Sequence, residues 1–318
     1  MITDNIYIYN ICKNWRRTLV AIIATLSILD GWTQDFSQHW LTMPYADSTS
    51  QIWYRKQIVT TKKIKKAFVS IATFGYADLY VNGRNVSRYI INPYREVADA
   101  SAISTTYDIT AYTNSDTLTI GIWYSPLLHN LHNEQISATI YGRYTDGEAF
   151  AYASDGTWLC RTSSTSINDN QGENIDGNIN PYTWNSHSNY SLALWQCAKE
   201  VKTNIATLLK PTPYKAYAIN EVINYNYFDA SGDTICYDFG KGFFGLLRVT
   251  LRNARRGEKI YIGNNIYTAS GTLDEQAIIR FTPTFMRKVM IYGDSKFRIN
   301  HITNIEALNI STINTRYW

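Results

Sequence analysis

The side chains best suited to chemistry lie in three places. Glu173 and Asp176 share the segment Gln171-Gly-Glu-Asn-Ile-Asp-Gly177. Carboxylates so placed accept hydrogen bonds from ligand hydroxyls or pair with a basic side chain. General acid–base work needs a fixed geometry between the groups, and closeness on a loop fixes none. The second place is aromatic: Trp123, Trp158, Trp184 and Trp195, with Tyr182 next to Trp184 in Tyr182-Thr-Trp184. Such rings offer rigid amphipathic faces that stack on sugar rings or fill strand faces. Trp184, in its Pro-Tyr-Thr-Trp-Asn context, is expected at the surface, and Trp158 and Trp195 in the core. The third place is the hairpin holding Asp78, Asn82 and Asn85, whose oxygens suit a calcium ion. The same Asn82-Gly83 pair is also what a type I′ turn prefers.

Other chemistry has little to stand on. Among the five histidines only His129 and His132 are close, and no Cys or carboxylate flanks them at zinc spacing. Downstream of Cys12 the cysteines are Cys160, Cys197 and Cys236, an odd number, so at least one thiol stays free. The net charge is only +4. The one basic cluster, Lys62, Lys63, Lys65 and Lys66, precedes an apolar strand pattern and reads as a solvated strand entry, which argues against a nucleic-acid partner.

The elements that must position these residues are strands. At 318 residues, 45% hydrophobic and 18% charged, the chain is globular and long enough for two domains. Ala67–Thr73 alternates in period two, and Asp78–Val81, Asn82-Gly83 and Arg84–Val86 read as strand, turn and return strand. Thr117–Tyr124 and the pair Ile136–Gly142 and Ala149–Tyr152 continue the pattern. Ser163 to Asn189, dense in Asn, Ser, Asp and Gly, reads as surface excursions, and Leu208–Pro213 as a stiff linker. Strands resume at 234–239, 245–251, 258–262, 277–281 and 288–292, and Asp238 is expected to be a paired structural carboxylate at the seam between domains. Short strands with regular turns predict an all-β protein of two consecutive β-sandwiches. The predicted boundaries are a signal peptide over 1–34, a first sandwich over 35–200 and a second over 201–318. The signal rests on Arg16 and Arg17 followed by the uncharged run Thr18–Leu29, too short to span a membrane. Export to the periplasm, the medium or the cell surface follows, with no membrane span after cleavage.

Several local patterns then line up in order. Lys66–Gly75 followed by Asp78–Val86 resembles the strand–glycine–strand hairpin of galactose-binding-like jelly rolls, and Tyr107–Thr110 with Asn114–Tyr124 resembles their continuation. Asp155–Trp158, Gln171–Gly177, Tyr182–Trp184 and Ala193–Trp195 are similar to steps of bacterial α-L-rhamnosidases. So are Tyr237–Gly245, Arg252–Tyr261 and Phe285–Gly293 further on. The resemblance implies two front-end sandwiches, a jelly roll and a concanavalin-like fold. In that family an α/α barrel follows and carries the catalytic carboxylates in an Asp-Cys-Pro-x-Arg-x-Glu type run. No such run occurs in this sequence, and Asn178 stands where the family segment has arginine. The expectation is therefore a non-catalytic carbohydrate-binding or accessory protein of polysaccharide use. Its candidate sugar-binding residues are Trp184, Tyr182, Glu173, Asp176 and Trp123, and its implied ligand is a rhamnose-containing glycan. The alternative is half of a split glycoside hydrolase acting with a separate catalytic chain.

Overall fold

The computed structural model describes residues 40–96, 101–127, 134–179, 183–186, 193–202 and 209–315. The predicted leader, the two close histidines and Tyr182 lie outside these residues. Among the described residues there is no α-helix, and almost every element is a strand. No helix there is long and apolar enough to cross a membrane.

The strands form a seven-stranded sheet and a fifteen-stranded one. The smaller runs in the order Lys199–Val201, Trp40–Thr42, Ile136–Tyr144, Ile64–Thr73, Ala102–Asp108 and Leu209–Pro211, with Ala149–Ala153 returning beside Ile136–Tyr144. It packs against one half of the larger sheet. Period-two alternation decides which side chains meet there. Ile52 and Tyr54, Leu79 and Val81, and Ile120 and Ile122 point into the first core with Ile71, Ile140 and Trp158. A second core, built on Ile235, Tyr237, Val249, Leu251, Ile260, Ile291 and Ile305, belongs to the other half of the larger sheet.

Three sequence expectations shift here. The stretch after Ser163 is not all loop: Leu159–Ile167 and Glu173–Asp176 are paired antiparallel strands. The Asn168 side chain organises the tight connection between them by accepting the N–H groups of Asn170 and Gly172. Nor does the predicted stiff linker stand apart from the sheets over its described residues, 209–213. Leu209–Pro211 adds to the first sheet, parallel to Ala102–Ser104, and Lys199–Val201 pairs with Trp40–Thr42. The first sandwich therefore keeps the chain past residue 200, and the second begins with Lys215–Asn224. Asp238 sits within the second sandwich, not at a seam. It accepts from Tyr227, Gly240 and Arg287, and the Gly240 N–H above all holds its carboxyl down at about 2.

The two halves share one sheet. Glu173–Asp176 pairs antiparallel with Leu159–Ile167 on one side and parallel with Asn265–Thr268 on the other. The short strand thus belongs to both sandwiches, and what surrounds it is held by both.

Candidate functional site

Alternation that sends Ile52, Leu79 and Ile122 inward sends Trp53, Arg55, Asp78, Tyr80, Gly121 and Trp123 to the opposite face of the same strands. That face is covered as well. Trp184 lies flat on Trp53 with ring centroids 5.0 Å apart and planes 2° from parallel. Gly121 makes room for it: a Cβ there would come within 2.8 Å of the Trp184 ring. The Arg55 guanidinium fastens the loop from below, its Nε donating to the Trp184 carbonyl at 3.1 Å. Trp184 is only 3% exposed. The expectation of a surface platform is corrected, because the segment carrying Trp184 folds onto this face and packs against Trp53, Tyr80, Trp123 and Phe281.

Arg280, from the second half, closes the knot. It donates through Nη1 to Asp78 Oδ2, and its guanidinium stands 4.7 Å from the Trp123 ring centroid. Trp123 Nε1–H donates to Gln51 at 2.9 Å. Glu173 is fully buried beneath the same segment. It accepts the backbone N–H of Arg280 at 3.1 Å and of Phe281 at 2.6 Å. Burial pushes the Glu173 carboxyl up, and those two N–H groups with the Arg280 charge work against it. Burial likewise raises the carboxyl of Asp78, opposed by the Arg280 charge. The structure thus gathers Glu173, Trp123, Trp184 and Asp78 into one cluster, and it is a buried one. Arg280, which organises it, went unnoticed in the sequence. A lone arginine before a phenylalanine carries no spacing signal.

The calcium reading does not fit. Asp78 is engaged by Arg280. The Asn82 amide accepts from Thr119 N–H at 2.8 Å and donates to the Tyr112 carbonyl at 3.0 Å, and Asn85 accepts from Ser87 N–H at 2.8 Å. Calcium takes six to eight converging oxygens, whereas these are committed to separate turn contacts. Among the described residues no three His, Cys, Asp or Glu side chains are grouped to hold a metal.

Asp176 has a different setting. Its strand-mate Glu173 points into the knot, but Asp176 lines an open groove of about 510 Å³. The floor is the run Thr162-Ser-Ser-Thr-Ser166, where the pairing with Ser50–Val59 slips its register. Ser163 promotes the bulge locally. Its hydroxyl donates to the Thr165 carbonyl and accepts the Thr165 N–H, both at 3.0 Å. Ser164 and Thr165 are buried, yet their side-chain hydroxyls bond no other group among the described residues. Both oxygens stay within reach of solvent at the groove, so they can bond to something that enters it. Tyr261, stacked on Tyr292 at 4.8 Å, and Ile175, Ile179 and Ile266 supply apolar wall. The hydroxyl run falls inside the stretch that reads as loop in the sequence. Its composition is what a reader of the sequence could have used.

The described residues thus form two β-sandwiches that share one sheet, with a polar-floored, partly apolar groove beside the strand they have in common. Comparison with known proteins names the family resemblance. Residues 62–218 match the family model described as the α-L-rhamnosidase N-terminal domain. An α-L-rhamnosidase of Formosa agariphila is 25% identical over 239 residues, covering 68% of this chain and 24% of that protein. Among solved structures, the α-L-rhamnosidase from Dictyoglumus thermophilum superposes with a TM-score of 0.78 at 20% identity, over 88% of this chain and 36% of that one. The enzyme from Aspergillus terreus gives 0.77 at 16%, over 88% and 37%. That from Streptomyces avermitilis, complexed with L-rhamnose, gives 0.73 at 16%, over 83% and 29%. The chain resembles the N-terminal β-sandwich domains of α-L-rhamnosidases, and spans well under half the length of these relatives.

Proposed function

We propose that this chain is an exported, non-catalytic carbohydrate-binding or accessory module of polysaccharide use, and that its glycan lies in the groove beside Asp176. The observation that carries this reading is the pair of unengaged hydroxyls of Ser164 and Thr165 on the groove floor. Pyranose rings present hydroxyl edges and apolar faces at once. The groove answers with Asp176 and the Ser/Thr floor on one side, and with Tyr261 and three isoleucines on the other. A deoxy sugar such as L-rhamnose, the ligand named for the Streptomyces avermitilis enzyme, has this mixed character.

Calorimetric titration with L-rhamnose and rhamnose-bearing oligosaccharides tests the reading. Saturable binding is expected, lost in Asp176→Ala and unchanged by a chelator, since no calcium donor set is present in the hairpin. Silence across the whole panel would sink it.

A second reading, the module as partner of a separate catalytic chain, is favoured by the outer face of the second sandwich. There Phe285 is 74% exposed and Phe244 is its cross-strand neighbour, with Met290 and Tyr292 exposed nearby. Co-purification of a barrel-type hydrolase, abolished by Phe285→Asp, would support that reading.

A further inference from the structure

The groove does not end at Asp176. A second depression of about 430 Å³ lies against it, lined by Arg256, Tyr267, Ser270 and Thr272. The two have Ser164, Ile175, Asp176 and Ile179 in common. Each volume is within the range of small-ligand pockets, about 300–1,000 Å³, so side by side they form one trough with room for more than one ring. Asp176 stands at the middle.

The charges along this trough are unevenly satisfied. Of its acids, Asp274 is held by Arg252 at 2.8 Å. Glu275 is buried and accepts from the Tyr267 hydroxyl at 2.7 Å and from the Ser270 N–H and hydroxyl, both at 2.8 Å. Asp176, the third acid, accepts the Asn178 N–H and side-chain amide, both at 2.9 Å, so all three carboxylates are engaged. The cations are not. Neither Lys259 in the first depression nor Arg256 in the second has a carboxylate in salt-bridge reach among the described residues. Arg256 is nonetheless oriented, since its Nε donates to Asn178 Oδ1 at 3.1 Å, and Asn178 is itself tied to Asp176 at 2.9 Å. That anchors one edge of the guanidinium and leaves the Nη groups for a planar or tetrahedral anion, the recognition for which arginine is suited.

We infer that the trough binds an acidic oligosaccharide of at least two residues, with a uronate carboxylate or a sulfate ester in the Arg256 half and a neutral sugar over the Ser/Thr floor. This rests on the carbohydrate-binding reading above and goes beyond it in ligand length and charge.

The test is calorimetry on the intact protein with three disaccharide probes: rhamnosyl-glucose, rhamnosyl-glucuronate, and a sulfated rhamnosyl-glucose. The acidic probes are expected to bind at least tenfold tighter than the neutral one. That advantage should shrink as salt is raised and vanish in Arg256→Gln. Arg256 is exposed, so the variant should keep the wild-type melting temperature, which is measured alongside. The ratio of uronate to sulfate affinity separates the two sources of charge. Equal binding of all three probes overturns the inference and leaves the carbohydrate reading intact. Binding of none overturns both. An acidic preference that survives Arg256→Gln places the cation elsewhere and also overturns the inference.

Discussion

Arg280 holds three obligations at once: an ion pair with Asp78, a cation–π contact with Trp123, and a backbone N–H given to Glu173. Removing its side chain leaves Asp78, whose side chain is 5% exposed, as a buried charge without its partner. Breaking such pairs costs about 3–5 kcal/mol. Arg280→Met is therefore expected to lower unfolding free energy by about 3 kcal/mol in urea titrations, and Asp78→Leu added to it should recover part of the loss. A single variant within 0.5 kcal/mol of wild type, an ordinary surface effect, would show that the pair is not a structural tie. Glu134 makes the opposite kind of prediction. Burial first, and the Asp47 charge second, push its carboxyl up to about 7. The folded chain then holds this proton more tightly than the unfolded chain does. The associated stability is whole below about pH 4.3, the ordinary glutamate value, and drains away as pH rises toward 7. Glu134→Gln should accordingly raise the melting temperature more at pH 8 than at pH 4, and flatten the profile between them. An equal shift at both pH values would contradict the assignment.

At the level of elements, the Leu159–Ile167 strand is where packing and function part company. Most of its length is ordinary sheet, whereas Ser164 and Thr165 in the bulged run Thr162–Ser166 carry hydroxyls that the protein does not itself use. Ser164→Val and Thr165→Val together should leave thermal stability equal or slightly raised, because no bonded partner is orphaned. Glycan affinity should fall at least tenfold in the same protein. A large drop in melting temperature would mean that the hydroxyls serve the fold. Gly121 tests the neighbouring element. Its missing side chain is the space that Trp184 fills, and Gly121→Val should cost about 1–3 kcal/mol through overpacking and alter tryptophan fluorescence. This same element shows what could be read from sequence. The inward alternation of Leu79, Val81, Ile120 and Ile122 is visible as period two, and so the all-β class is visible. Burial of the opposite face is not. Trp53, Trp123 and Trp184 look like an exposed aromatic set until a distant arginine is folded over them. Asp176 was legible as a carboxylate in a polar segment, but its groove needed the bulge and Arg256, which lies far along the chain.

On the scale of the whole molecule, two hydrophobic cores are joined through one short strand and one buried knot. Separate cores in one chain ordinarily move and melt with some independence unless the interface is extensive. Here the interface is a continuous hydrogen-bonded sheet. Asn174, Ile175 and Asp176 pair with Ile266, Tyr267 and Thr268. Glu173 adds its own N–H to Asn265 Oδ1 at 2.8 Å and takes two N–H groups from the opposite half. Opening the halves would break these hydrogen bonds together with the strand pairing. Calorimetric unfolding should therefore show one transition, with van't Hoff and calorimetric enthalpies equal. Glu173→Ala should split it into two, the tie being cut while each core keeps its own packing. The trough draws Ser164 and Asp176 from one half and Lys259, Arg256 and Tyr261 from the other, so a ligand lying in it bonds to both. Saturating glycan should then raise the single melting temperature of the wild type and bring the two transitions of Glu173→Ala back toward each other. A ligand that shifts only one of the two transitions would place its site within a single sandwich, and would remove the reason for the shared strand to carry Asp176.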